Sequence, residues 1–280
     1  MYDALHTLIL HALAEDGAAS DITTLSTVPA EQQAQGTLLA RQAGVIAGLE
    51  VAAETFRLFD ARVEVDFLVR DGAQVQAGQS LLHLSGPARS LLSAERVALN
   101  FLGRLCGIAT LTARCVSALE GTGVRLLDTR KTTPGLRALE KEAVRLGGGQ
   151  NHRFGLSDGV LIKDNHIKAA GGIVQAIEAA RRRVPHLLKI EIECETLAEV
   201  EQAVQAGAEV ILLDNMSPER MREAVAFVRR VAPGTLLEAS GNIGTDTARL
   251  VAVAATGVDF ISLGALTHSA PTFDVSLEFA

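Results

Sequence analysis

Six short apolar runs end on, or run directly into, residues that can do chemistry. They are "VRLLD" before Arg130 and Lys131, "GVLIK" at Lys163, "LKIEIE" at Glu193, "EVILLD" at Asp214, "LLEAS" at Ser240 and "DFISL" before Gly264. Arginine offers a planar fork for carboxylate or phosphate and lysine a compact charge, so Arg130 and Lys131 with Arg153 and Lys163 could clamp a ligand bearing several negative groups. The plainer alternative is a solvated cationic cluster paired with Asp128, Glu140 and Asp158. Glu193 and Asp214 supply the opposite sign. They could hold ribose hydroxyls, coordinate Mg²⁺ arriving with a polyphosphate, or serve as ordinary ion-pair partners of the lysines.

Glycines stand where an anion would need close backbone approach. "GGGQNHRFG" (147–155) places three in a row before His152 and Arg153. "EASGNIG" (238–244) and "SLGALTHS" (262–269) put glycines and hydroxyls just after apolar runs, where successive N–H groups at a helix start can cradle one phosphate. In "LIKDNHI" (161–167), Lys163 is the functional candidate. Asp164 and His166 read more simply as helix-start residues.

The elements that must position these groups follow from the spacing. The run ends recur every 21 to 33 residues, and helical segments such as "TLAEVEQAVQAGA" and "SPERMREAVAFVRRVA" lie between most of them. Strands alternating with helices predict parallel βα units, whose strand ends open on one face. A barrel and an open doubly wound sheet both satisfy that pattern. The first third differs: a helix over 2–15, strands at "GTLLARQ" and "VEVDFLV", and a long helix through "SLLSAERVALNFLGRLCG". The expected division is an α/β sandwich over 1–108 and an α/β barrel over 109–267, with 268–280 free to pack back on the first.

Composition excludes several classes. At 280 residues and 48% hydrophobic, the chain can bury a substantial core. No long uncharged apolar run and no basic leader with a cleavage site is seen, so the expectation is a soluble cytoplasmic protein without membrane attachment. Cys106, Cys115 and Cys194 make an odd count without a CxxC pair and read as reduced core residues. The net charge of −7 argues against nucleic acid, yet between Arg125 and Lys168 nine Lys/Arg face only five Asp/Glu. An acidic chain holding one cationic island points to an anionic small molecule.

The stretch "DTRKTTPGLRALEKEAVRLGGGQNHRFGLSDGVLIKDNHI" closely resembles the quinolinate phosphoribosyltransferase family, as do "DITT" (21–24), "AERVALNFL" (94–102), "LLDNM" (212–216) and "GALTHSAP" (264–271). The resemblance implies an N-terminal α/β sandwich followed by an incomplete parallel α/β barrel, and phosphoribosyl transfer from phosphoribosyl pyrophosphate to quinolinate with decarboxylation. It implies Mg²⁺ and a homodimer with shared sites, with higher oligomers open, in which Arg96 reaches the partner's site. It also implies that Arg130, Lys131, His152, Arg153 and Lys163 meet the carboxylates and pyrophosphate. Glu193 and Asp214 would face the ribose hydroxyls and Mg²⁺, and Ser240, Gly241, Asn242 and Gly264 would hold the 5-phosphate. The catalytic set is then Lys131, Lys163, Glu193 and Asp214. Three departures stand out: Glu142 where the family often has tyrosine, "AASDITT" without the usual glycine, and Asn242 where glycine is frequent.

Overall fold

The computed structural model describes residues 2–280, and its contacts divide the chain into two compact units. One comprises the chain up to Ala113 with Thr133–Gly148 and Ala270–Ala280; the other comprises Arg114–Thr132 and Gly149–Ser269. Thr133–Gly148, inside the stretch expected to be barrel, thus groups with the N-terminal residues.

In chain order the first elements are α1 (Tyr2–Glu15), α2 (Ile22–Thr27), β1 (Gln33–Ala40), β2 (Gly44–Val45), α3 (Leu49–Phe59), β3 (Glu64–Phe67), β4 (Gln74–Val75), β5 (Ser80–Pro87) and α4 (Ala88–Ala118). There follow β6 (Arg125–Leu127), α5 (Arg137–Leu146), β7 (Val160–Ile162), α6 (Asp164–Ala170), α7 (Ile173–Arg181), β8 (Ile190–Cys194) and α8 (Leu197–Gln205). The chain ends with β9 (Val210–Asp214), α9 (Pro218–Val231), β10 (Leu236–Ser240), α10 (Thr247–Ala254), β11 (Phe260–Ser262), α11 (Ala265–His268) and β12 (Val275–Phe279).

The first unit is built on a four-stranded antiparallel sheet in the order β12-β1-β5-β3. Period-two alternation buries Leu38 and Ala40 of β1 on the face where Leu82 and Leu84 of β5 are also buried. Asp21 of the "DITT" motif caps α2 by accepting the Thr24 N–H at 3.0 Å, and it also accepts from the Ser93 hydroxyl. Glu140, fully buried, receives both Arg104 Nε and Nη2 on one oxygen and the Thr133 N–H on the other. That carboxylate pins the backbone two residues beyond Lys131. Glu142, the departure noted above, is neutralised by Arg145 on the same helix, with Nε to Oε2 at 2.8 Å.

The second unit is a six-stranded parallel sheet, order β6-β11-β10-β9-β8-β7, with its own helices between successive strands from β7 onward. In β8, Ile190, Ile192 and Cys194 alternate with Glu191 and Glu193, so one face is apolar and the other carries acids. The register sets Asp214 beside Ser240, and Glu193 beside Leu212 two residues earlier, so these distant polar residues share one face of the sheet. Thr196 then starts α8 with a reciprocal cap: its hydroxyl accepts the Glu199 N–H and the Glu199 carboxylate accepts its own N–H. Thr196→Ala is expected to cost about 1 kcal/mol, read as a lower denaturant midpoint at unchanged m.

All three cysteines are buried and free, and burial pushes the Cys106 and Cys194 thiols up to about 12. Among the described residues, no helix is long and apolar enough to cross a membrane.

Candidate active site

The carboxyl ends of β6 to β11 and the loops that follow enclose a cavity of about 740 Å³. Eleven of the twelve residues singled out from the sequence line it: Arg130, Lys131, His152, Arg153, Lys163, Glu193, Asp214, Ser240, Gly241, Asn242 and Gly264. Arg96 does not; it is exposed on α4.

Opposite charges meet at the mouth. Lys163 Nζ, at the carboxyl end of β7, donates to Glu193 Oε2 at 2.6 Å. Its backbone N–H donates to His166 Nδ1 at 2.9 Å, which gives that histidine a structural task at the start of α6. Asp164 pairs along the same helix with Lys168. One strand further, burial and then the Glu193 charge raise the Asp214 pKa, so Lys163 alone does not neutralise the two carboxylates. Across the pocket, burial and the Arg130 guanidinium lower the Arg153 pKa, the sign of cations crowded together.

The glycine loops bring bare backbone to the cavity wall. Asn215 and Asn242 both lie in the left-handed region, with φ of 54° and 50°, where asparagine is the side chain best tolerated after glycine. Asn242 Nδ2 donates to Asn215 Oδ1, and Asn215 Nδ2 donates to Asp214 Oδ2 at 2.6 Å. The replacement of a frequent glycine by Asn242 therefore keeps the backbone shape and adds a strut to the acid. At Gly264 a Cβ would stand 2.8 Å from Lys131 Cδ and 3.1 Å from His268 Nε2, so the lysine stem crosses bare backbone. The Thr267 hydroxyl donates to the Lys131 carbonyl at 2.8 Å and holds the cation loop against α11.

His152 is tied down at several points. Its backbone N–H donates to Asp128 Oδ1 at 2.8 Å, and Asp128 is fully buried. Its Nε2 lies 3.1 Å from Glu191 Oε2 and 3.7 Å from Glu238 Oε2. Burial lowers the pKa of the ring and the two glutamates raise it further than that, favouring imidazolium. The Arg153 N–H donates to Nδ1 at 2.7 Å, however, which leaves room for one ring proton only and holds the ring neutral with that proton on Nε2. Burial, and then Glu191, push Glu238 up to about 8.

Reading only strand ends missed four lining or supporting residues. Glu191 and Glu238 sit two positions before Glu193 and Ser240, so period-two alternation would have placed them on the same face. His268 and Ser262 line the cavity from either side of Gly264, within a motif whose glycine alone had drawn attention.

Fold and pocket together define a parallel α/β protein with a charged cavity at the carboxyl ends of its strands. The chain belongs to the quinolinate phosphoribosyltransferase family, whose N-terminal domain model matches residues 21–106 and whose C-terminal domain model matches 108–278. It is 44% identical to the nicotinate-nucleotide pyrophosphorylase (carboxylating) of Mycobacterium leprae, over 99% of this chain and 98% of that one. It is 43% identical to the probable nicotinate-nucleotide pyrophosphorylase (carboxylating) of Bacillus subtilis, over 98% and 93% of the two chains. Among solved structures, the nicotinate-nucleotide pyrophosphorylase of Francisella tularensis matches with a TM-score of 0.93 at 39% identity, covering 100% of this chain and 97% of that one.

Proposed function

We propose that this protein transfers the phosphoribosyl group of phosphoribosyl pyrophosphate to quinolinate and decarboxylates the adduct, yielding nicotinate mononucleotide, pyrophosphate and CO₂. It is then a pentosyltransferase of de novo NAD biosynthesis, working in the cytoplasm. The observation that carries this reading is one cavity holding Arg130, Lys131, Arg153 and Lys163 against Glu193 and Asp214, beside a glycine loop shaped for a phosphate.

The cations bind the dicarboxylate and the pyrophosphate, and they stabilise the charge that gathers on the leaving group as the C1–O bond breaks. The 5-phosphate rests on the Ser240–Asn242 and Gly264 backbones, and Glu193 and Asp214 face the ribose. Holding the pyridine nitrogen in line with the ribosyl carbon makes the attack intramolecular in effect. Once alkylated, the pyridinium accommodates the carbanion left when the 2-carboxylate departs as CO₂, and that carbon then takes up a proton. The protein's task in this step is to keep the ring in register and water out.

Glu193 and Asp214 also fit Mg²⁺: they are carboxylates on neighbouring strands, the Asp214 pKa is raised, and the lysine at the mouth pairs with Glu193. Carried in with phosphoribosyl pyrophosphate, the ion would share the charge of the departing pyrophosphate. The exposed Arg96 fits the reading that a homodimer completes each site with the partner's arginine.

Incubation with phosphoribosyl pyrophosphate, Mg²⁺ and either quinolinate or nicotinate tests the proposal. Mononucleotide and CO₂ should form from quinolinate in equal amounts. Turnover of nicotinate alone would assign a different acceptor.

A further inference from the structure

We propose that Glu191 and Glu238 are positioning residues that act through His152 to set the grip on the pyridine dicarboxylate. This inference rests on the quinolinate reading above. Both acids lie one layer beneath the mouth, on the polar face of the sheet, and are 7% and 2% exposed. Each has a buried Oε1 with no hydrogen-bond partner, a costly arrangement for a carboxyl group whose only purpose is packing. What the two share is His152, whose Nε2 faces both second oxygens at 3.1 and 3.7 Å.

A relay of hydrogen bonds carries this outward. Glu191 accepts the Nε2 proton, and the other ring nitrogen accepts the Arg153 N–H at 2.7 Å. Arg153 Nη1 in turn donates to the Gly159 carbonyl at 2.9 Å, so its backbone and its guanidinium are both held. Both ring nitrogens of His152 are thus directed into the protein. The imidazole serves as a spacer between the acid layer and Arg153, and the cations around it take the carboxylates.

Glu238 supports Glu191 from β10, two strands along the sheet, beside the Ser262 hydroxyl, which donates to Ser240 Oγ at 3.0 Å. Its elevated pKa agrees with a neutral carboxylic acid there, one that can donate toward Glu191. The two acids therefore have different tasks: Glu191 must accept, and Glu238 must be neutral and the right shape.

Kinetics and spectroscopy test this on the full-length protein. Glu191→Ala and Glu238→Ala should raise KM for quinolinate by about ten- to a hundredfold. KM for phosphoribosyl pyrophosphate should rise by only about twofold, because its 5-phosphate rests on the Ser240–Asn242 and Gly264 backbones and Arg153 is one of four cations that share its pyrophosphate. Glu238→Gln, a neutral isostere, should recover most of what Glu238→Ala loses. In ¹⁵N-histidine spectra without substrates, one of the seven histidines should show a slowly exchanging Nε2–H that Glu191→Ala abolishes and Glu191→Gln weakens.

Parallel rises in both KM values would overturn the inference, as would equal loss in Glu238→Ala and Glu238→Gln. So would a His152 resonance indifferent to residue 191. A divalent ion found bound stoichiometrically to His152, Glu191 and Glu238 would overturn it too, because those three could ligate one. The spectra need no turnover. If wild-type protein ignores quinolinate while the Nε2–H behaves as stated, the functional reading fails and the hydrogen-bond relay stands.

Discussion

Lys163→Ala will lower kcat/KM for quinolinate by at least about a hundredfold while leaving thermal unfolding nearly unchanged. The ammonium stands at the mouth of the cavity, its side chain is 48% exposed, and its ion-pair partner is Glu193 at 2.6 Å. Glu193 is 11% exposed, but the ammonium end of the pair stands in solvent at the cavity mouth, so its removal costs little stability and the loss falls on ligand and leaving-group charge. The same variant tests the shared site. Mixed with Arg96→Ala, itself inactive on this reading, random pairing makes half the dimers hybrid, and each hybrid carries one site with both residues intact. About a quarter of wild-type activity should return after subunit exchange. If no activity returns although co-purification of differently tagged subunits shows hybrids, Arg96 does not serve the partner's site.

Gly241→Ala should be nearly as damaging, for a different reason. At φ +81° the added Cβ carries a left-handed penalty of about 1–2 kcal/mol. It would also stand 2.4 Å from Asn215 Oδ1 and 2.7 Å from Asp214 Oδ1, so either the loop opens or the acid moves. Displacing a reactive group by about 1 Å costs on the order of a hundredfold in rate. Gly244→Ala is the control: its φ is +71°, but nothing lies within 4 Å of the added atom, so it pays the backbone penalty alone. Equal activity in the two variants would show that Asp214 is not placed by close packing over Gly241.

How much of this could be read beforehand follows from the range of each signal. The parallel sheet was legible because its six strands are local apolar runs ending in polar residues at regular intervals, and "LKIEIE" needs no distant partner to announce itself. The cavity residues at strand ends were legible for the same reason. The pairing of β12 with β1 was not, since its register joins residues more than 230 positions apart. The grouping of α5 with the N-terminal residues depends on Glu140 finding Arg104, again a distant pairing. Glu191 and Glu238 were visible as residues, but only the register of the inner strands shows that they converge on one imidazole.

The six-stranded sheet has two margins, and the chain keeps the strand at each of them short. β6 and β7, the outermost strands, are three residues each, whereas β8, β9 and β10 are five. Gln150 bridges to Leu127 on the outer side of β6 and uses up hydrogen-bonding groups that would otherwise point outward. A long flat margin would be a template on which a second molecule could add a strand. Margins this short, one of them already bridged, offer little template for fibre-like stacking.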